Sequence, residues 1–315
     1  MPQTFREARW YRSMLYVPGN KLDWMIKAPK YGADALVFDL EDSVEVTQKA
    51  GARNSVATAI KELRTGQFGR FVRLNGWRTG YLLDDVNAVV IDGLDGVALA
   101  KTDDPEEIAA LDLVLAELER SRNLPVGRIE ICPHAESAVG RYKMYDLCTA
   151  SQRVKRAGNS GGPTPGGDGA RSLGLQFNEE IDDGIYFGAY SALQARAAGI
   201  IQVEGAMTGK LDDLELVRRI GERSKRMGAS WASAIHPSHI PVINEIYSPS
   251  QNEISEAIDM ISVVAEATAR GEGAVRYKSM ILDYATVRTA KEVVKKAEAI
   301  GIDVGNVPQL ELPPL

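Results

Sequence analysis

Histidine and cysteine are scarce in this chain. Its 315 residues include three histidines, His134, His236 and His239, and two cysteines, Cys132 and Cys148. Two cysteines cannot build a disulfide framework, and their spacing forms no CxxC site. So few histidines weigh against a histidine dyad, a three-histidine zinc centre and a Ser-His-Asp triad. No apolar run approaches the roughly 18 residues of a membrane-spanning helix. Positive charge is also short: 37 Lys and Arg against 43 Asp and Glu give a net charge of −6. That argues against broad nucleic-acid binding, which needs a basic footprint, yet leaves room for a small anion held by a few local cations. The opening MPQTFREARWYR is polar and carries both signs of charge, unlike a signal peptide. The expected setting is the reducing cytoplasm.

What is present describes a globular chain. Hydrophobic residues make up 44% and charged residues 25%, which excludes disorder as the main state. Short apolar runs alternate with longer amphipathic ones. Strands are expected at Ser13–Val17, Ala35–Leu40, Phe71–Leu74, Gly96–Ala100, Arg128–Cys132, Ile200–Val203 and Trp231–Ile235, with a weak polar one at Arg153–Ala157. Helices are expected at Lys21–Lys30, Glu45–Arg64, Tyr81–Val89, Pro105–Arg122, Ala138–Ala150, Ile185–Ala198 and Asp212–Met227. Gly158–Gly169, GNSGGPTPGGDG, reads as a loop. Eight such units favour an α/β fold of the (β/α)8 barrel type over an open doubly wound sheet. The open sheet's GxGxxG turn is missing after the first strand, where the chain reads Val17-Pro18-Gly19-Asn20-Lys21. Residues 1–248 form the expected barrel. Residues 249–315 form a C-terminal helical arm, with helices at Glu253–Arg270 and Val287–Ala299, no further strand, and an extended Pro-rich tail.

A β/α barrel carries its site at the C-terminal ends of its strands. The polar residues there are Lys21 after the first strand, Asp39, Glu41 and Asp42 at the second, Arg73 and Asn75 at the third, Glu136 after the fifth, Asp168 after the sixth and His236 after the eighth. Carboxylates with an arginine and little histidine suit a hard cation, Mg²⁺ or Mn²⁺. Each residue also has a plainer explanation. Glu136 can face a helix dipole, Asp168 can sit in a solvated turn, and Arg73 can pair with Asp39 or Glu41 as a structural bridge. Asp39 inside an apolar strand needs a partner in any case. Their joint position at strand ends favours a site. His236 and His239 read as a turn or pocket wall, with Pro237 between them, and the two cysteines read as small buried apolar residues.

Five strings in order, RSMLYVPGN (Arg12–Asn20), GADALVFDLEDSV (Gly32–Val44), FVRLNG (Phe71–Gly76), GLDGVALAK (Gly93–Lys101) and SAIHPSHIPVINEIYSPS (Ser233–Ser250), resemble the citrate lyase β-subunit-like family with its malyl-CoA lyases, within the HpcH/HpaI aldolase superfamily. The resemblance spans about residues 12–300. It implies a Mg²⁺-dependent carbon–carbon lyase that cleaves or forms 3-hydroxyacyl-CoA-type thioesters, exchanging an acyl-CoA with an α-keto acid or aldehyde, in a homotrimer or homohexamer. By the same resemblance, Glu136 and Asp168 hold the metal, Arg73 binds the reacting oxygens, and Glu41 and Asp42 border the metal. Asp283, in SMILDYATVRTA, serves a neighbouring subunit's site. Gly167 is counted with the substrate contacts, and Arg12 and Lys21 are expected at the CoA phosphates. The sequence departs from the pattern at Gly167, where a Glu is usual, at His134, where an apolar residue is commoner, and in the lengthened stretch from Val154 to Asp168. A thioesterase on the same site, an aldolase of free hydroxy-keto acids and a non-catalytic acyl-binding subunit are the competing readings.

Overall fold

The structure, a computed structural model, describes residues 5–158, 167–175 and 182–313. It divides into two compact units, residues 4–247 and 248–315.

In the first unit, strands and helices alternate along the chain. β1 (Ser13–Pro18) leads to α1 (Leu22–Lys27), β2 (Ala35–Asp39) to α2 (Lys49–Glu62), β3 (Gly69–Leu74) to α3 (Leu82–Val89) and β4 (Gly96–Leu99) to α4 (Pro105–Ser121). β5 (Glu130–Pro133) is followed by α5 (Ala138–Tyr142) and α6 (Met144–Thr149), and β6 (Arg156–Ala157) by α7 (Asp168–Leu173) and α8 (Asp182–Ala197). β7 (Gln202–Gly205), α9 (Leu214–Arg226), β8 (Trp231–Ala234) and α10 (Ile240–Tyr247) complete the unit. Helical crossovers leave the strands parallel, and they pair in the order β5-β4-β3-β2-β1-β8-β7-β6. The open ends of that row meet through parallel bridges Ile131–Val154 and His134–Gly158, so the sheet closes into a TIM barrel.

Both faces of these strands are apolar, as a closed parallel sheet requires. Met14, Val37, Phe71, Ala98, Cys132 and Trp231 fill the barrel interior, with Tyr16 packed above them. Alternate residues Leu15, Leu36, Phe38, Val72, Leu74, Val97 and Ile131 face outward and pack with Val56, Ile60, Val86, Leu111 and Leu115 of the helices. The N-terminal end of the interior is plugged by Arg156. Its side chain is fully buried, sits 2.8 Å from Glu130 and lies 4.6 Å from the Tyr11 ring and 5.2 Å from that of Phe71.

Two expectations change. The weak sixth strand shrinks to two residues; ahead of it the Arg153 carbonyl accepts from the Ile131 amide at 2.9 Å, while the Arg153 side chain pairs with Glu119 (2.6 Å) and Asp112 (2.5 Å). The helix expected over Ala138–Ala150 breaks at Lys143 into α5 and α6. Most of the expected Gly-rich loop, residues 159–166, lies outside the described residues.

The second unit departs from the expected helical arm without strands and with an extended tail. It contains α11 (Gln251–Ala269), an antiparallel hairpin of β9 (Ala274–Tyr277) and β10 (Met280–Asp283), and α12 (Tyr284–Ala299). The hairpin turns on Lys278-Ser279, with Lys278 at φ +51°. Lacking the usual Asn-Gly or Gly at that turn, it is silent in the sequence. Ile261, Val264, Leu282, Val287 and Val294 form this unit's core, and Val304, Val307, Leu310 and Leu312 of the tail pack onto it. A capping box, Ser250 with Glu253, starts α11. No helix among the described residues is long and apolar enough to cross a membrane.

Candidate active site

The polar residues at the strand ends gather around two cations. The first is Arg73, on β3. It is the register partner of Asp39, the last residue of β2. Its Nε donates to Asp39 Oδ1 and its Nη2 to Asp39 Oδ2, each at 2.7 Å. Its third nitrogen, Nη1, lies 3.0 Å from Glu41 Oε2, an atom without an aligned hydrogen bond. The guanidinium rests 5.3 Å from the centre of the Tyr16 ring. Burial alone would favour the neutral forms. The fork outweighs it, holding Asp39 below its usual carboxylate range and Arg73 well above its own value.

The second cation is Lys101, just past β4. Its ammonium lies 2.6 Å from Glu41, 3.0 Å from Asp42 and 3.2 Å from Asp168. Asp168 opens α7 and also accepts from Arg171 at 2.6 Å, and the Arg171 and Lys101 contacts lower its pKa. Behind Glu41, the buried Lys49 on α2 donates to the carbonyls of Leu40 (2.8 Å) and Glu41 (3.0 Å) and to Asn75 Oδ1 (2.8 Å). Asn75 in turn donates to Asp85 on α3. The segment carrying Glu41 and Asp42 is therefore anchored by its backbone, which frees its carboxylates to face the site.

Glu136, beyond β5, is buried, and desolvation pushes its carboxyl up to about 7. His134 Nδ1 is 3.9 Å from it, and the other ring nitrogen is 3.4 Å from the Tyr16 hydroxyl. Burial, helped by Arg73, pulls His134 down to about 3, so the ring is neutral. A side chain at Gly158 would collide with this ring, since its Cβ would come within 2.6 Å.

The structure thus brings Arg73, Glu41, Asp42 and Asp168 into one linked group at the C-terminal face, with Glu136 on the same face of the barrel. Lys21 stands after β1, exposed, with its ammonium 6.0 Å from the Trp24 ring. Gly167 is the residue that caps α7. Arg12 is a correction. It precedes β1 and so lies at the opposite, N-terminal end of the strand, where it forks onto Asp34 at 2.7 and 2.8 Å. An arginine committed there is a structural clamp and cannot meet a ligand at the other face. Asp283 lies in the second unit, where it caps α12 by accepting from the Thr286 amide at 3.0 Å. His236 bonds to Ser238 and His239 to the Leu211 carbonyl, as a turn would have them. Cys132 and Cys148 are free and buried, their thiols pushed up by desolvation.

Lys101 and Lys49 were not singled out from the sequence. Lys101 had a signal, a charged residue directly beyond the fourth strand within GLDGVALAK. Lys49 had none, being one lysine on an amphipathic helix.

Oxygen donors dominate, which suits a hard cation. Among the described residues, no three Asp, Glu, His or Cys side chains converge enough to hold a metal together; the Lys101 ammonium stands between them. The donor chemistry and the unsatisfied Glu41 oxygen fit a divalent ion once the carboxylates close on it.

Residues 12–237 match the family model described as HpcH/HpaI aldolase/citrate lyase. The citrate lyase subunit beta of Leuconostoc mesenteroides subsp. cremoris is 29% identical over 291 residues, covering 92% of this chain and 94% of that one. The L-malyl-CoA/beta-methylmalyl-CoA lyase of Cereibacter sphaeroides is 30% identical over 310 residues, covering 93% and 96%. Among solved structures, a citrate lyase from Burkholderia xenovorans superposes with a TM-score of 0.78 at 18% identity, covering 97% of this chain and 95% of that one. The protein CitE from Mycobacterium tuberculosis, in complex with magnesium, acetoacetate and coenzyme A, superposes with a TM-score of 0.69 at 21% identity, covering 92% and 99%. With the barrel, the strand-end carboxylates and a family match over most of its length, this chain belongs to the HpcH/HpaI aldolase/citrate lyase family.

Proposed function

We propose that this protein is a Mg²⁺-dependent carbon–carbon lyase of 3-hydroxyacyl-CoA-type thioesters, yielding an acyl-CoA and an α-keto acid or aldehyde. The observation that carries this reading is the Arg73–Glu41–Lys101–Asp168 group at the strand ends, with the buried Glu136 on the same face. Relatives named as citrate lyase and malyl-CoA lyase support the reaction type, and a structural neighbour bound to magnesium, acetoacetate and coenzyme A supports the ligand class.

Aldol cleavage needs a held carbonyl, removal of the hydroxyl proton and stabilisation of the enolate left on the thioester. Glu136 and Asp168 are the residues that would hold the metal, with Glu41 and Asp42 beside them. When bound, Mg²⁺, or Mn²⁺ in its place, supplies Lewis-acid polarisation of substrate oxygens. Arg73 stabilises negative charge as it develops. Its planar fork is already oriented by Asp39, so little reorganisation is needed at the moment of reaction. The apolar interior beneath, with Tyr16 and the neutral His134, keeps water from the enolate side. In this reading Lys21, exposed after β1, meets the CoA phosphates, and the backbone at Gly167 lines the substrate space. Asp283 exchanges the proton, supplied by a neighbouring subunit of a homotrimer or homohexamer.

The test pairs acetyl-CoA and propionyl-CoA with glyoxylate, pyruvate and oxaloacetate, followed by mass spectrometry with Mg²⁺ and again after EDTA. A condensation product that needs added Mg²⁺ is expected. Full activity in a verified metal-free preparation would remove the metal from the proposal. Release of free CoA without a new carbon–carbon bond would point to a thioesterase instead.

A further inference from the structure

Lys101 has a backbone φ of +52°, in the left-handed region where Gly and Asn are at home and a lysine is strained. From there its ammonium spans three carboxylates drawn from two separate segments: Glu41 at 2.6 Å, both oxygens of Asp42 at 3.0 and 3.2 Å, and Asp168 at 3.2 Å. The second Asp168 oxygen accepts from Arg171, and the second Glu41 oxygen faces Arg73. Every oxygen of Asp168 is therefore engaged by a cation of the chain itself. A divalent ion that takes Asp168 must share an oxygen with one of these cations or displace it, and either way it meets their positive charge at close range.

Resting on the metal-dependent reading above, we infer that Lys101 is an internal, displaceable counter-ion. It holds Glu41, Asp42 and Asp168 together in the metal-free protein, and its competition for Asp168 sets how tightly the divalent cation is bound. The physical basis is simple. Three carboxylates around one point repel one another unless a cation stands among them. An ammonium at that point also repels an incoming dication over a few ångströms of partly desolvated space. Arg73 does not compete for Asp168: its two-bond fork holds Asp39 and its remaining nitrogen faces Glu41. Lys101 acts here through the carboxylates, as a positioning residue.

The experiment is isothermal titration of metal-stripped, full-length protein with Mg²⁺, on the wild type, Lys101→Met and Lys101→Asn. Methionine keeps the length without the charge. Asparagine tolerates the backbone conformation and is too short to reach the carboxylates. Both variants should bind Mg²⁺ about tenfold more tightly than wild type. Both should also melt at a lower temperature without metal and gain more from added Mg²⁺ than wild type does. A residue that merely braces the site would do the reverse on removal and weaken binding. Unchanged or weaker binding in a folded variant, with wild type binding Mg²⁺ normally, overturns this inference and leaves the lyase proposal standing. Wild-type protein that binds no Mg²⁺ at all overturns the metal-dependent reading itself.

Discussion

Arg73 and Asp39 face each other across two adjacent parallel strands at the same register, joined by two hydrogen bonds of 2.7 Å. The pair is both a structural bridge and an aiming device. Asp39 fixes the guanidinium plane, and the remaining nitrogen is turned toward Glu41 and the site. Asp39→Ala leaves a buried, underpaired guanidinium, and such a break typically costs about 3–5 kcal/mol. Urea unfolding at pH 7 should show that loss. Asp39 is held below its usual range in the fold, so its stabilisation is present above the ordinary aspartate pKa and lost as pH falls through the lowered one. The gap between mutant and wild type should therefore narrow in acid. An equal gap at all pH values would rule out this ion pair as its source.

Glu136 has the opposite sign. Its carboxyl rises from 4.5 to about 7 on burial, so in the metal-free protein folding favours its protonated form. The stabilisation linked to that proton is complete below the unfolded value, declines as pH rises toward about 7, and is gone above it. The full span is about 3 kcal/mol. Glu136→Gln, neutral at every pH, should abolish this slope and exceed wild type in stability above pH 7. It should also lose most Mg²⁺ binding in calorimetry. A metal-free wild type with stability flat between pH 5 and 7 would contradict the shift.

Asp283 has two candidate roles that substitutions separate. Its carboxylate caps α12 through the Thr286 amide, and it is the proposed proton-exchanging group. Asp283→Asn keeps a capping oxygen and removes the acid. Turnover should fall at least tenfold with little change in melting temperature, a magnitude in line with losing an acid–base group. Asp283→Ala should lower both. Mixing Asp283→Asn with Glu136→Gln subunits should restore part of the activity if one subunit serves another's site. No recovery in confirmed mixed oligomers would count against sharing.

Arg156 tests the difference between a site arginine and a buried structural one. It lies at the N-terminal end of the barrel, between Glu130, Tyr11 and Phe71. Arg156→Ala should cost about 3–5 kcal/mol through the stranded Glu130 and the lost packing. The apparent KM of the folded fraction should not move. A change in KM larger than that in stability would place it in the binding machinery.

The barrel was readable because apolar runs of strand length, separated by amphipathic helices, admit few other solutions. Arg73, Glu41, Asp42, Asp168 and Glu136 were readable as candidates because they stand where such strands end. Arg12, expected with Lys21 at the CoA phosphates, does not share that strand-end position. It lies at the beginning of β1, not at its end, and its bond to Asp34 crosses to the neighbouring strand's entry. Lys278-Ser279 concealed a hairpin because a left-handed turn built from lysine carries no glycine to announce it.

The sequence by itself determined the alternation, the parallel barrel and the residue types available at its C-terminal face, because local periodicity and strand polarity dictate those. Only the tertiary structure decided how those charges share partners. Lys101 comes from one strand end, Glu41 and Asp42 from another and Asp168 from a helix start, and they meet only when the sheet closes. Likewise, burial rather than identity lifts Glu136 and neutralises His134. Desolvation depends on every neighbour packed around a group, and no local stretch of sequence contains that information.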